Sequence, residues 1–513
     1  MRHVAIVTAC AVLAACGNPS DPEGWAKRAA SRSRMDEKLQ ALAEVRKAPG
    51  DRKAAIPALV EVLQQAPRAR AQAALALGET GDPSAVKPLI AAIDETSRDR
   101  DVLDANRFIA DALGALRAKE AVPALQKLAS SPDGYVQVAA VDALGRVGDP
   151  AAVDTLVAIA GSPQVEPFTA KKALLALGRI GDARAAPVVL KMLFEERPGV
   201  SFFPEAAFAV SQIGRPMAPA LLAVLEGRDA ELAAWAKGRG VLPGALYAKS
   251  AQLLGDVGGP AAVPALLGKL SYRDPDPGVE MYVRVLAAES LGRLRARDAV
   301  KALADQLVKE KDPNVRDRLC DALVRIGDPA ALPAFKLAAG AGSWDLREGP
   351  LTALSRLGTA GERPFVDGAR ERECGKGCAA PVQTAFAGML ARLDAAKTCG
   401  DAGCWTGKLA DASAAVRDRA ALELGHAGGA SCAGALGDAI ARQVSDPAEL
   451  AARYHAVLAL GWIAAREKVG PDGEPIAVKI EAMIAQDRGR TLTAGVNEDA
   501  LRLATRLRRD AGK

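Results

Sequence analysis

Histidine and cysteine carry most of the acid–base, nucleophilic and metal chemistry open to a protein. This 513-residue chain holds three histidines (His3, His426, His455) and eight cysteines. No Gly-rich phosphate loop, His-Glu-x-x-His, Gly-x-Ser-x-Gly or Ser/His/Asp set with sequence context accompanies them, so the sequence offers no catalytic residue and no cofactor site. Past residue 16 the cysteines are Cys320, Cys374, Cys378, Cys399, Cys404 and Cys432. Cys374-Gly-Lys-Gly-Cys378 and Cys399-Gly-Asp-Ala-Gly-Cys404 set two thiol pairs in Gly-rich segments flexible enough to close small disulfide rings, with Cys432 near enough to compete for Cys399 or Cys404. A zinc site from Cys399, Cys404, His426 and Cys432 is the sharper alternative, although zinc ligands usually pair across about two to four residues and the second pair is spread wider.

The elements that must position these residues are helices. Half the residues are apolar but only 4% are aromatic, and Ala, Leu and Val carry the apolar load. One motif recurs: a small apolar pair, proline, then a helical apolar pattern, as in Ala55-Ile56-Pro57-Ala58-Leu59 and Ala121-Val122-Pro123-Ala124-Leu125. Pro57, Pro88, Pro123, Asp154, Pro187, Pro219, Pro264, Lys301, Pro333 and Pro364 hold the same slot, 31, 35, 31, 33, 32, 45, 37, 32 and 31 residues apart. Proline is harmless in the first turn of a helix, where its missing N–H has no partner to lose.

Ala-Leu-Gly or a variant marks the following helix, as at Ala76-Leu77-Gly78 and Ala143-Leu144-Gly145. Gly81-Asp82-Pro83, Gly148-Asp149-Pro150 and Gly327-Asp328-Pro329 then end one helix and start the next. Two helices of about a dozen residues and two turns fill each period, giving an antiparallel hairpin. A hairpin cannot bury its apolar face alone, so the hairpins must stack. The expected fold is all-α, an α-α superhelix of about 11–13 hairpins spanning residues 35–465, with a C-terminal loop and capping helices over 466–513.

Met1-Arg2 and the apolar run over 4–15 form a short basic flank and a segment too brief to span a bilayer, read as a signal peptide over residues 1–15. Leu13-Ala14-Ala15-Cys16-Gly17 resembles the bacterial lipobox, which implies that Cys16 is acylated and begins the mature chain. Residues 16–34 then serve as the acylated cysteine and a flexible tether. The same resemblance, with Gly17 after the cysteine, implies a cell-envelope protein, anchored in the outer membrane if the host is diderm. An exported chain can oxidise its thiols, which favours the two local disulfides over zinc and leaves no metal site expected.

Nearly the whole mature chain resembles the HEAT repeats, in the short variant named phycobilisome-lyase HEAT-like. Asp312-Pro313-Asn314-Val315-Arg316, and Asp411 with Val416-Arg417, look like the family's Asp and Val-Arg pair, which the resemblance implies link repeats through an acid–base ladder. Some HEAT-like proteins are bilin lyases or di-iron hydroxylases, but the hydroxylases need His-Glu pairs and none exists here. The resemblance therefore implies a binding scaffold rather than an enzyme.

A residue repeated at one position of every hairpin forms a row. The position after the glycine of Ala-Leu-Gly, or its equivalent, carries Arg146, Arg179, Arg293, Arg325 and Arg356, with His426 and Trp462 in the slot near the end. One reading is a basic stripe for an acidic partner. The other is a solvated face in which the arginines pair with Asp142, Glu289 and Asp321 one turn back. With 67 basic against 62 acidic residues there is no footprint of nucleic-acid binding. The expected partners are thus a protein, unidentified by sequence, and a membrane through the lipid anchor, with no small-molecule substrate. A purely architectural envelope role and a HEAT-like lyase stand as alternatives.

Overall fold

The computed structural model describes residues 21–340 and 342–511. The expected signal peptide and Cys16 lie outside them. The chain divides into two compact units, one ending at Pro216 and the other beginning at Met217.

Unit 1 holds six helical hairpins among the described residues. They are α1 Pro22–Ser31 with α2 Met35–Lys47, α3 Ile56–Leu63 with α4 Pro67–Thr80, and α5 Val86–Ala91 with α6 Arg100–Ala115. There follow α7 Val122–Leu128 with α8 Gly134–Val147, α9 Val153–Gly161 with α10 Pro167–Ile180, and α11 Ala186–Met192 with α12 Phe203–Ile213. Two short strands, β1 Glu196–Arg197 and β2 Val200–Ser201, pair in the last of these.

The stretch expected to be a tether up to residue 34 is helical from Pro22. The Asp21 carboxylate accepts from the Gly24 N–H at 2.8 Å, Pro22 fits the first turn, and Ala26 and Ala29 are fully buried.

Each turn between repeats follows from its residues. Gly148 takes the left-handed conformation (φ 72°) at the end of α8, and Asp149 accepts from the Ala151 N–H at 2.9 Å. Pro150–Ala152 then form a 3₁₀ turn before α9 begins. That turn takes residues assigned by sequence to the first helix. From α3 onward the first helices of unit 1 therefore have 6–9 residues instead of about a dozen, against 11–16 in the second helices. Neighbouring second helices approach closely through glycine: a Cβ on Gly145 would lie 2.8 Å from Ala176 Cα. Leu113, Leu144 and Leu177, each just before such a glycine, are fully buried.

Unit 2 holds eight hairpins among the described residues. The first is α13 Ala218–Leu225 with α15 Pro243–Val257, between which the longest of the motif spacings is taken up by an extra helix, α14 Ala230–Lys237. Then come α16 Val263–Lys269 with α17 Pro277–Arg293, α18 Val300–Lys309 with α19 Pro313–Ile326, and α20 Leu332–Ala338 with α21 Trp344–Leu357. The last four are α22 Arg363–Cys374 with α23 Ala380–Thr398, α24 Ala402–Lys408 with α25 Ala414–Ala427, α26 Ala433–Ile440 with α27 Pro447–Arg466, and α28 Gly473–Gln486 with α29 Ala494–Asp510. The two units together exceed the 11–13 hairpins expected, because α1 completes a hairpin with α2 and the expected cap is a full repeat.

Of the two Val-Arg residues, Arg417 links repeats through an acid as expected, its guanidinium meeting the Glu449 carboxylate of the next second helix, whereas Arg316 turns to carbonyls. Arg316 donates to the carbonyls of Glu310 (3.0 Å), Ala338 and Leu346 (both 2.9 Å), and Asp312 caps α19 through the Asn314 N–H. Eight residues before the glycine slot, polar side chains recur with this job: Arg70 donates to Leu63 O, Gln137 to Ala129 O, and Arg284 to Leu270 O. They satisfy carbonyls that a helix end leaves without partners. Among the described residues no helix is long and apolar enough to cross a membrane.

Candidate interaction face

A further ladder uses the arginine slot. In unit 1, Arg146 pairs with Asp111 of the preceding second helix at 2.8 Å and with Asp142 of its own helix at 3.2 Å. Arg179 repeats the step onto Asp142 at 2.8 Å. Partial burial acts to raise the Asp142 pKa, but the hydrogen bond and charge of Arg179, with Arg146, outweigh it and hold the carboxyl below its usual range. The Arg146 and Arg179 side chains remain 34% and 38% exposed. On the same side of the second helices Tyr135 and Phe168 are exposed, and Leu175 and Phe208 are half-buried.

In unit 2 the row continues and is covered. Arg293 pairs with Asp256 (2.9 Å) and Glu289 (3.3 Å), Arg325 lies 3.9 Å from Glu289 and 4.0 Å from Asp321, and Arg356 pairs with Asp321 at 3.2 Å. These side chains are 12%, 1% and 13% exposed. The cover is the chain's own last repeats. Tyr454 on α27 places its hydroxyl 3.2 Å from both Arg293 and Glu289, and the Arg325 guanidinium sits 5.0 Å from the Tyr454 ring centre. Asp499 on α29 pairs with Arg293 at 2.9 Å, and Trp462 Nε1 donates to the Arg293 carbonyl at 3.3 Å.

A second buried knot lies beside it. Asp418 accepts from Arg356 (2.8 Å), Arg392 (3.1 Å) and His455 Nδ1. Burial would raise the Asp418 pKa, but Arg356, then His455 and Arg392, carry it well below the usual carboxylate range. Burial pulls His455 below its ordinary value and His426 down to about 4, so both are neutral near pH 7. Neutral His426 donates from Nε2 to the Arg325 carbonyl at 3.0 Å and packs on Gly327, where a Cβ would lie 2.5 Å from its Cε1.

The five arginines singled out from sequence therefore separate into two whose side chains are a third or more exposed in unit 1 and three that are largely covered in unit 2. The i−4 partners expected for them are present, and acids of the preceding helix add to them. What sequence reasoning missed is the cover, whose one visible signal is that His426 and Trp462 replace arginine in the late repeats.

Cys374–Cys378 and Cys399–Cys404 are disulfide-bonded, with Cα separations of 4.6 and 5.4 Å. Cys320 and Cys432 are buried free thiols, and burial pushes the Cys320 thiol well up. The zinc set weighed from sequence does not assemble: Cys399 and Cys404 are bonded to each other, while His426 turns to Arg325. Among the described residues no group of three or more His, Cys, Asp and Glu side chains is placed to hold a metal. The loop over 271–277 is tied down by the Tyr272 hydroxyl, which donates to Asp274 at 2.6 Å, with Lys269 Nζ 3.5 Å above the Tyr247 ring. A cleft of about 420 Å³ opens at the end of the last hairpin, lined by Ile484, Asp487, Arg490, Asn497 and Leu501 among others.

Residues 99–171 and 280–355 match the HEAT repeats family, and residues 69–95 match the PBS lyase HEAT-like repeat. The structure of Importin Beta is similar over 93% of this chain and 73% of its own, at 13% identity and a TM-score of 0.50. The fold is a HEAT-type α-solenoid. Kap95p, in a structure concerned with its binding to RanGDP, aligns over 93% of this chain and 70% of its own at 14% identity and TM-score 0.46. Human deoxyhypusine hydroxylase aligns over 60% of this chain and 96% of its own at 18% identity and TM-score 0.23. No curated protein sequence matches the chain.

Proposed function

We propose that the protein is a membrane-tethered interaction scaffold, not an enzyme, that holds a protein partner against the second-helix face of unit 1. One observation carries this reading: the same arginine slot is covered by the chain itself in unit 2 and open in unit 1. A HEAT-type solenoid is a fold typical of such scaffolds, and function has to be argued from the face rather than the fold.

The tether rests on the leader: a basic flank, a short apolar run and Cys16 in a lipobox-like context. Acyl chains on Cys16, at about 0.8 kcal/mol per buried methylene, would hold the protein on a membrane durably. Gly17 favours an outer-membrane address in a diderm cell envelope.

The test is a crosslinking pull-down from membranes with the parent protein and an Arg146→Glu/Arg179→Glu variant. Loss of the captured partner with unchanged helicity supports the reading, and equal capture removes it. Incorporation of a palmitate analogue should disappear in Cys16→Ser; labelling that persists contradicts the anchor.

A further inference from the structure

We infer that the partner segment on the unit 1 face is a helix presenting hydrogen-bonding aromatic side chains, Tyr or Trp, to the arginine row. This rests on the reading of that face as the docking surface. The argument comes from the chain's own solution to covering the same slot. In unit 2, Arg293 keeps its two ladder contacts, to Asp256 and Glu289, and takes two further groups: the Asp499 carboxylate at 2.9 Å and the Tyr454 hydroxyl at 3.2 Å. In unit 1, Arg146 and Arg179 make ladder contacts of the same kind, with Asp142 shared between two guanidiniums. A guanidinium has five donors in a planar fork, so each can accept a further carboxylate or hydroxyl without surrendering the ladder.

The covering groups in unit 2 come from two helices, Tyr454 and Trp462 from α27 and Asp499 from α29. Tyr454 and Trp462 stand eight residues apart on α27, close to 12 Å along an α-helix at about 1.5 Å per residue. Neighbouring second helices are spaced about 8–10 Å, so one tyrosine seated between them can meet both. Tyr454 does so, meeting Arg293 of α17 and Arg325 of α19, while Trp462 packs 5.1 Å under Arg295. Unit 1 offers the apolar complement for such a helix in Leu175 and Phe208, flanked by exposed Tyr135 and Phe168. A purely apolar helix would desolvate the guanidinium N–H groups that the ladder leaves unpaired, which is costly. A purely acidic strand would leave the four apolar side chains wet.

The probe is a fluorescent synthetic peptide with the sequence of Pro447–Arg466, which carries Glu449, Tyr454 and Trp462. It is titrated into the full-length protein and read by anisotropy. The inference expects binding that weakens at least tenfold in the Arg146→Ala/Arg179→Ala protein, and at least tenfold when the peptide carries Tyr454→Ala/Trp462→Ala. No binding, or equal affinity for the double variant, overturns it. Weakening in Arg293→Ala alone also overturns it, because the peptide would then be exchanging with α27 in unit 2. Should the peptide fail while Arg146→Glu/Arg179→Glu abolishes membrane capture, the docking face stands and the helix chemistry falls. Unchanged capture removes both.

Discussion

Arg293 on α17 and Asp499 on α29 stand 206 residues apart in the chain and form a 2.9 Å ion pair with both side chains largely buried. Around that pair Tyr454, Trp462 and His426 bind the last repeats of unit 2 to its earlier second helices. A solenoid is ordinarily stabilised by nearest-neighbour contacts alone. Here distant repeats are joined as well, and the join is built from charges.

Charges buried in such a join are costly to orphan. Asp418→Asn removes the carboxylate shared by Arg356, Arg392 and His455 and should cost about 3–5 kcal/mol in urea unfolding of unit 2. Asp111→Asn, at a partly exposed pair in unit 1, should cost about 1 kcal/mol or less. Equal losses at the two sites would contradict the burial assigned to the unit 2 join.

Stability should fall with acid in a definite window. His426 is held near 4 mainly by burial, against about 6.5 in an unfolded chain, so between those values the unfolded state binds the extra proton. The contribution is intact above about pH 6.5 and is lost as pH falls towards 4, by roughly 3 kcal/mol at most. Buried His455, also lowered, adds to the same slope, and depressed Asp418 adds a further loss at more acid pH. His426→Gln keeps a donor for the Arg325 carbonyl and should flatten the slope between pH 6.5 and 4; an unchanged slope would show that His426 is not held neutral.

Glycine at the second-helix contact should resist even a methyl group. Gly145→Ala puts a Cβ 2.7 Å from Ala176 Cβ and 2.8 Å from its Cα, and should destabilise by about 1–3 kcal/mol. Gly134, in the first turn of α8 with nothing within 4 Å of a Cβ, should accept alanine with a gain of about 0.5 kcal/mol. Thermal melts of the two variants shifting the same way would contradict the close approach.

Two of the repeats without a Gly-Asp-Pro turn put arginine in left-handed backbone, at Arg117 (φ 49°) and Arg295 (φ 52°). Arg117 is exposed, and Arg117→Gly should stabilise by a few tenths to about 1 kcal/mol by relieving that strain. Arg295 donates to the Gly425 carbonyl at 3.3 Å and covers Trp462, so Arg295→Gly should bring no such gain. A higher melting temperature for Arg295→Gly than for Arg117→Gly would contradict this.

Local patterns made the repeat legible. Proline in the first turn, Ala-Leu-Gly and Gly-Asp-Pro each act within a few residues, so period, hairpin and arginine slot can be read from the chain alone. By composition Pro22–Ser31 resembles a linker, with its proline, glycine and charges, whereas Asp21 capping and the Ala26/Ala29 spacing make it a helix. The cover over Arg293, Arg325 and Arg356 involves contacts as distant as 206 residues, which no periodicity encodes. A substitution in the late repeats hinted at it: where an arginine row must be met by something other than arginine, the slot holds His426 and Trp462.

Arginine-selective labelling of the native full-length protein with phenylglyoxal, quantified residue by residue by mass spectrometry, tests the open and covered slots directly. Arg146 and Arg179 should react at rates near those of exposed arginines, while Arg293, Arg325 and Arg356 should be protected until unit 2 is unfolded. Comparable reactivity across all five would contradict the account.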